Sequence, residues 1–239
     1  MRYYVCSDVH GFYTLFIDAL KKAGYFDDTE PHKLLLLGDV MDRGKEAIEM
    51  QNFILEQMEH DTVILIRGNH EDLFVDMIEL RKGRTNFVDI WNGTSDTLDQ
   101  LTGNTPKVPE LTEIPLYKTI IPAMRNFYET SHYIFVHGYL PGLDCSDGYM
   151  IAEDWRNASA RAWSQARWVN GIDVSLTACP EKTVVCGHWH SSYGHALFEN
   201  KGSEFQEDAD FSPYFGKNLI AIDACTAHSR IVNCLVLED

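Results

Sequence analysis

Along the first third of the chain, apolar positions switch between two periods. Arg2 to Cys6 is a short apolar run that reads as a strand. Phe12, Leu15, Phe16, Ala19, Leu20 and Ala23 then recur three and four residues apart, which predicts a helix ending at Gly24, with Lys21 and Lys22 at the negative end of its dipole. The same alternation follows twice more: Lys33 to Leu37 and Thr62 to Ile66 as strands, Ala47 to Met58 as a helix, and a helix carrying Leu73, Phe74, Met77 and Ile78 that stops near Gly83. Strand and helix in turn predict an α/β sheet.

From Arg84 to Pro122 the pattern lapses into turn signals, Asn92-Gly93 and Gly103-Asn104, with prolines at 106, 109, 115 and 122. That stretch reads as a cap or lid inserted into a single domain spanning residues 1–239. Strands resume at His132 to Val136, Thr183 to Cys186, Leu219 to Ile222 and Ile231 to Val236, with a helix expected around Glu153 to Val169. The acidic stretch Glu199 to Asp210 reads as a solvated loop.

Chemistry enters at the strand ends. Immediately after successive apolar runs stand Asp8-Val9-His10, Gly38-Asp39-Val40-Met41-Asp42-Arg43-Gly44, Gly68-Asn69-His70-Glu71, His137-Gly138 and Gly187-His188-Trp189-His190. Each alone has a structural reading, such as a helix cap, an Asx turn or a satisfied histidine. In an open α/β sheet, however, the C-terminal ends of the strands converge on one crevice, so these clusters should meet there. Asp, Asn and His together offer oxygen and imidazole donors, which suit Mn, Fe, Zn or Co better than calcium. If two metals bind, at least one carboxylate should bridge them, because ions about 3.5–4 Å apart clamp both oxygens in a displacement at phosphorus.

Composition narrows the setting. The formal net charge of −16 opposes binding to a polyanion, so a large nucleic acid is an unexpected partner. The cysteines at 6, 145, 179, 186, 225 and 234 form no C-x-x-C pair, and three lie in apolar runs, which predicts buried, reduced thiols. No apolar run reaches the length of a membrane span, and the N-terminal residues lack a signal-peptide pattern, so the expected location is the cytoplasm.

Asp-x-His-Gly, Gly-Asp-x-x-Asp-Arg-Gly and Gly-Asn-His-Glu, about thirty residues apart, resemble the phosphoprotein phosphatase branch of the calcineurin-like metallophosphoesterases, in its bacterial or phage form. The resemblance implies a β-sandwich of two sheets flanked by helices. It also implies two divalent or transition metal ions, Mn foremost with Fe, Zn or Co as alternatives. By motif position, Asp8, His10 and Asp39 hold the first ion, while Asp39, Asn69, His137 and His188 hold the second, with Asp39 bridging. A hydroxide shared by the ions would attack phosphorus, Arg43 and Asn69 would bind the substrate phosphate, and His70, kept basic by Asp42, would protonate the leaving oxygen.

Two features depart from the branch. His190 stands where the wider superfamily places an extra ligand of the first ion, and it is expected to act as one. The second phosphate-binding arginine is assigned to Arg167, with Arg156 and Arg161 close enough to compete. The expected activity is hydrolysis of a phosphomonoester on a phosphoprotein or small molecule, most like a serine/threonine protein phosphatase. The alternatives are a diadenosine tetraphosphate hydrolase, with Phe87, Trp91 and Tyr117 available to stack on adenine, and a catalytically weak, metal-bound partner-binding module.

Overall fold

The computed structural model of the protein describes residues 1–103, 111–146 and 148–239. Strands β1 (Arg2–Cys6), β2 (His32–Leu36) and β3 (Val63–Leu65) pair in parallel, with Val5 opposite Leu35 and Leu35 opposite Ile64. A second sheet is built on β5 (Tyr133–Phe135), β8 (Thr183–Cys186) and β10 (Leu219–Ala221), again parallel. Antiparallel strands close the edges: β11 (Leu235–Glu238) beside β1, β4 (Tyr128–Glu129) beside β5, and β9 (Tyr214–Gly216) beside β10. A separate hairpin joins β6 (Gly142–Cys145) to β7 (Gly148–Ile151).

Successive strand residues point to opposite faces, and here both faces are buried. Tyr3, Val5, Leu35, Leu37, Ile64 and Ile66 meet Phe135, Val185, Ile220 and Ile222 between the two sheets. Tyr4, Cys6, Leu34, Leu36 and Leu65 face the other way, into α1 (Tyr13–Ala23), α2 (Ala47–Glu59) and α3 (Asn69–Glu79). The outer face of the second sheet, with Ile134, Val184 and Leu219, packs on Trp155 and Trp163. This two-layer sandwich flanked by helices explains why the strands read as continuous apolar runs. Truncating one of these side chains, Leu35→Ala for instance, removes about 2–5 kcal/mol.

The segment read as a cap holds two helices, α4 (Phe87–Asn92) and α5 (Thr94–Thr102), and the Asn92-Gly93 turn signal is their junction. Pro115 and Pro122 sit at the starts of short helical turns, where a missing N–H costs nothing. Asn104, Pro106 and Pro109 fall outside the described residues. The helix expected over Glu153 to Val169 divides into a turn at Trp155–Asn157 and a helix at Ala160–Ala166, because the Ser159 hydroxyl accepts from Ala162 N at 3.3 Å and starts a new helix there. The last strand begins four residues later than the run from Ile231 suggests. Asn233 donates its amide to the carbonyls of Phe211 and Ile222 at 2.8 and 3.1 Å, which diverts residues 231–234 from the sheet. All six cysteines are free thiols, with Cys6 and Cys186 buried. Among the described residues no helix is long and apolar enough to cross a membrane.

Candidate metal centre

The parallel strands of both sheets end on one side of the sandwich. The loops after β1 and β2 are laced together there by main-chain bonds, His10 N to Asp39 O at 3.0 Å and Gly11 N to Val40 O at 2.9 Å. The laced loops hold left-handed backbone at Asp8, His10, Asp39, Asp42 and Arg43, with φ of 51°, 49°, 51°, 72° and 63°, and His188 in the loop after β8 is left-handed too, with φ of 63°. Such conformations cost about 1–3 kcal/mol each, least for Asp and His, and collect where function requires them. Gly68 is needed for close approach: a Cβ there would lie 2.2 Å from Asp39 Oδ1 and 2.6 Å from Asp39 N.

Two donor groups share Asp39: His10, Asp39 and His70, and Asp39, His137 and His188. The Asp39 oxygens stand 3.9 Å from His10 Nε2, 3.8 Å from His70 Nε2 and 3.4 Å from His137 Nε2. These separations exceed a good N–H···O bond and leave room for cations between the donors. His10 Nδ1 lies 3.0 Å from the Met41 carbonyl and His137 Nδ1 2.7 Å from that of Leu37. A carbonyl only accepts, so Nδ1 carries the proton in both rings and the Nε2 lone pair is left for a metal. Asn69 Oδ1 lies 2.7 Å from His137 Nε2, and Asp8 accepts from Ser7 and, at 2.9 Å, from His188 N.

The electrostatics suit cations. Burial pushes the Asp8 carboxyl up to about 6 and raises Asp39 as well. Burial likewise pushes His188 down to about 3, with His137 and His70 adding to the effect, and lowers His10 and His137. Neutral imidazoles at His10, His137 and His188 beside buried carboxylates form a donor set that a divalent ion satisfies. Asp8, His10, Asp39, Asn69 and His188, together with Arg43, His70, Asn92, Trp168 and Asp223, line a cavity of about 80 Å³. That volume admits ions and a reacting group, while the rest of a substrate would lie on the rim.

His70 Nδ1 donates to Asp42 Oδ2 at 2.7 Å, and Arg43 Nη2 lies 3.3 Å from His70 Nε2. Burial disfavours the imidazolium, but the charge of Asp39 and the bond to Asp42 outweigh it and lift His70 to about 9. Arg43 is in no ion pair among the described residues, and no other arginine lines the cavity.

The structure does not bring the remaining assigned residues to this cavity. Arg167 donates to Asp72 Oδ2 at 2.7 Å, Asn126 Oδ1 at 2.6 Å and Arg67 O at 3.2 Å, in a separate groove that Arg161 also lines. Arg156 is paired with Glu129 at 2.7 and 2.8 Å. His190 Nε2 lies 2.7 Å from Glu204 Oε1, with its ring against Phe205, outside both donor groups.

Other residues have roles the motifs did not reveal. Asp223, just past β10, is buried and lines the cavity; the strand-end rule that found Asp8 and Asp39 would have found it too. Glu71 is buried and accepts from Gly68 N at 2.7 Å, Asp39 N at 3.0 Å and Val40 N at 3.0 Å, so one carboxylate fixes the turns that carry Asp39 and Asn69. A glutamine there keeps one acceptor oxygen and turns a donor toward a backbone N–H. Glu71→Gln should therefore lower stability by about 3 kcal/mol, seen as a fall of about 6–12 °C in thermal midpoint. An unchanged midpoint would contradict this role.

Residues 1–192 match the family model for calcineurin-like phosphoesterases. Among curated proteins, a bis(5'-nucleosyl)-tetraphosphatase PrpE [asymmetrical] of Bacillus velezensis is 36% identical over 76 residues, covering 29% of this chain and 30% of that protein. Serine/threonine-protein phosphatase 2 of Salmonella typhimurium is 34% identical over 80 residues, covering 34% of each. The chain thus spans about a third of the length of these relatives. Among solved structures, a protein serine/threonine phosphatase from Saccharomyces cerevisiae aligns over 100% of this chain and 80% of its own, with a TM-score of 0.56 and 14% identity. A cold-active protein-tyrosine phosphatase of a psychrophilic Shewanella aligns over 100% and 75%, with a TM-score of 0.56 and 16% identity. At such identities these two structures bear on the fold alone.

Proposed function

The chain belongs to the calcineurin-like phosphoesterase family, and from that premise we propose that it hydrolyses phosphomonoesters at two cations, as a protein serine/threonine phosphatase-like enzyme. The observation that carries the reading is Asp39 between His10 on one side and His137 and His188 on the other, beside a His–Asp dyad and an arginine in no ion pair among the described residues; Asp8 lies outside both donor groups and would take the place of His70 in the first. Asp8, His10 and Asp39 would hold one ion and Asp39, Asn69, His137 and His188 the other, Mn being the first candidate. Bound there, the ions supply positive charge to phosphate oxygens and lower the pKa of a coordinated water. Arg43 takes the phosphate, its planar fork matching two oxygens. His70 delivers the proton from Nε2 to the leaving oxygen, with Asp42 on Nδ1 holding the ring in place and favouring its charged form. Six free thiols support a reducing compartment such as the cytoplasm.

One observation favours a second reading. Phe87 and Trp91 are 75% and 77% exposed and stack on each other 5.9 Å apart, next to Asn92 at the cavity. An adenine could add to that stack, as a dinucleoside polyphosphate hydrolase would require; Tyr117, bonded to Glu79 at 3.0 Å, is half-buried and less available. Turnover of a phosphoserine peptide and of diadenosine tetraphosphate should be compared in the Mn-loaded protein. The proposal expects the peptide to be the better substrate. If the dinucleotide is preferred, and Trp91→Ala raises its KM alone, the second reading replaces the first.

A further inference from the structure

The segment between residues 84 and 122, read from sequence as a cap or lid, carries one helix whose polar face is fastened to the loop after β2. Thr94, Thr97 and Gln100 lie three residues apart on α5 and so share a face. Thr94 Oγ1 donates to Asp42 Oδ2 at 2.7 Å, and Thr97 Oγ1 donates to Asp42 Oδ1 at 2.7 Å while accepting from Asp42 N at 3.0 Å. Gln100 continues the series, donating to Gly44 O and accepting from Ala47 N, each at 3.0 Å, and Lys45 is paired with Asp96. Thr94, Thr97, Asp42 and His70 are all at most 3% exposed. Gly93 brings this helix onto the loop: its φ is +83°, and a Cβ there would lie 2.4 Å from Arg43 N.

Both oxygens of Asp42 are thereby occupied. Oδ1 takes one hydroxyl, and Oδ2 takes the other hydroxyl together with His70 Nδ1. A carboxylate free to rotate about χ2 would not hold an imidazole to one orientation, and a buried one with unmet lone pairs would seek other donors. We propose that Thr94 and Thr97 are positioning residues for the reaction: they lock the Asp42 carboxylate, which orients His70 toward the leaving oxygen. The inserted helix is then a fixed part of the acid's frame and does not open and close as a lid. This rests on the reading of His70 as the acid.

The test uses full-length, Mn-loaded protein and two esters, p-nitrophenyl phosphate, whose leaving group departs without help, and phenyl phosphate, which needs a proton. Thr94→Val/Thr97→Val keeps shape and removes both hydroxyls; Thr94→Ser/Thr97→Ser keeps the hydroxyls. The valine pair should lose about 30-fold in kcat on phenyl phosphate, a fraction of what general acid catalysis supplies, and less than about threefold on p-nitrophenyl phosphate, with KM and metal content unchanged. The serine pair should stay within about threefold of the parent on both esters. If the valine pair does not fold, Thr94→Val and Thr97→Val singly carry the same contrast, each leaving one hydroxyl on Asp42. Equal losses on both esters, no loss at all, or serine variants as slow as the valine ones would overturn the proposal. His70→Asn run alongside separates the layers. If it too slows both esters equally, the acid reading has failed; if it is selective and the valine variants are not, only the positioning role has.

Discussion

Asp39→Asn should abolish turnover without unfolding the protein. Among the described residues Asp39 alone is common to both donor groups, with one oxygen toward His137 and the other toward His10 and His70. An amide keeps the oxygen that accepts from His70 N at 3.0 Å but loses the charge and turns an NH2 toward the imidazoles. Affinity at both ion positions should drop together, and kcat/KM should fall at least about a thousandfold, roughly 4 kcal/mol of lost transition-state stabilisation. Stability of the metal-free protein should move the other way. Burial already pushes the Asp39 carboxyl up, so a neutral side chain removes an unfavourable charge. The metal-free variant should melt no lower than the parent, and added Mn should no longer raise its midpoint as it does for a protein that binds the ion only when folded. A variant that kept both ions and full activity would remove Asp39 from the bridging position.

His70→Asn should separate proton delivery from metal binding. His70 also belongs to the donor group of His10 and Asp39, so metal content decides between ligand and acid. As an acid, it should leave both ions in place when replaced. The loss should be about 10²–10⁴-fold on esters with poor leaving groups and far smaller on p-nitrophenyl phosphate. The pH dependence has a definite sign. Burial alone would lower His70, yet Asp39 and Asp42 lift it to about 9, so the ring carries its proton through neutrality and loses it as pH rises. Bound cations oppose that charge and draw the value down. The rate on poor leaving groups should therefore fall on an alkaline limb at or below about pH 9, and His70→Asn should lack that limb. Loss of metal in the variant, or an alkaline limb that persists in it, would assign the ring a different part.

The strands that carry the site were legible because they are buried on both faces, and continuous apolar runs such as Leu34 to Leu37 admit little else. That Asp39, His10, His70, His137 and His188 gather was legible for a related reason: parallel strands end together, so polar residues that follow the runs are brought close. Asp223 obeys the same rule after β10 and could have been read that way.

What stayed hidden depends on side-chain direction or on contacts between distant segments. Arg167 follows the right kind of helix, but sequence gives no sign that its guanidinium turns to Asp72 and Asn126. His190 sits two residues after His188, yet the chain is starting the helix Ser191–Phe198 there, and its ring faces Glu204. The hydroxyls of Thr94 and Thr97 lie 52 and 55 residues from Asp42, on a short helix that follows one whose outward apolar residues, Phe87, Ile90 and Trp91, mask the usual periodicity. Nothing periodic or motif-like marks such a contact before the fold makes it.

Metal content measured together with p-nitrophenyl phosphate turnover tests the central claim most directly. The protein, purified without added metal and then loaded with Mn, should carry about two ions per chain and hydrolyse the ester only when loaded. A chain that holds two ions and hydrolyses no phosphoester, or turns one over equally well after chelation, would contradict the account.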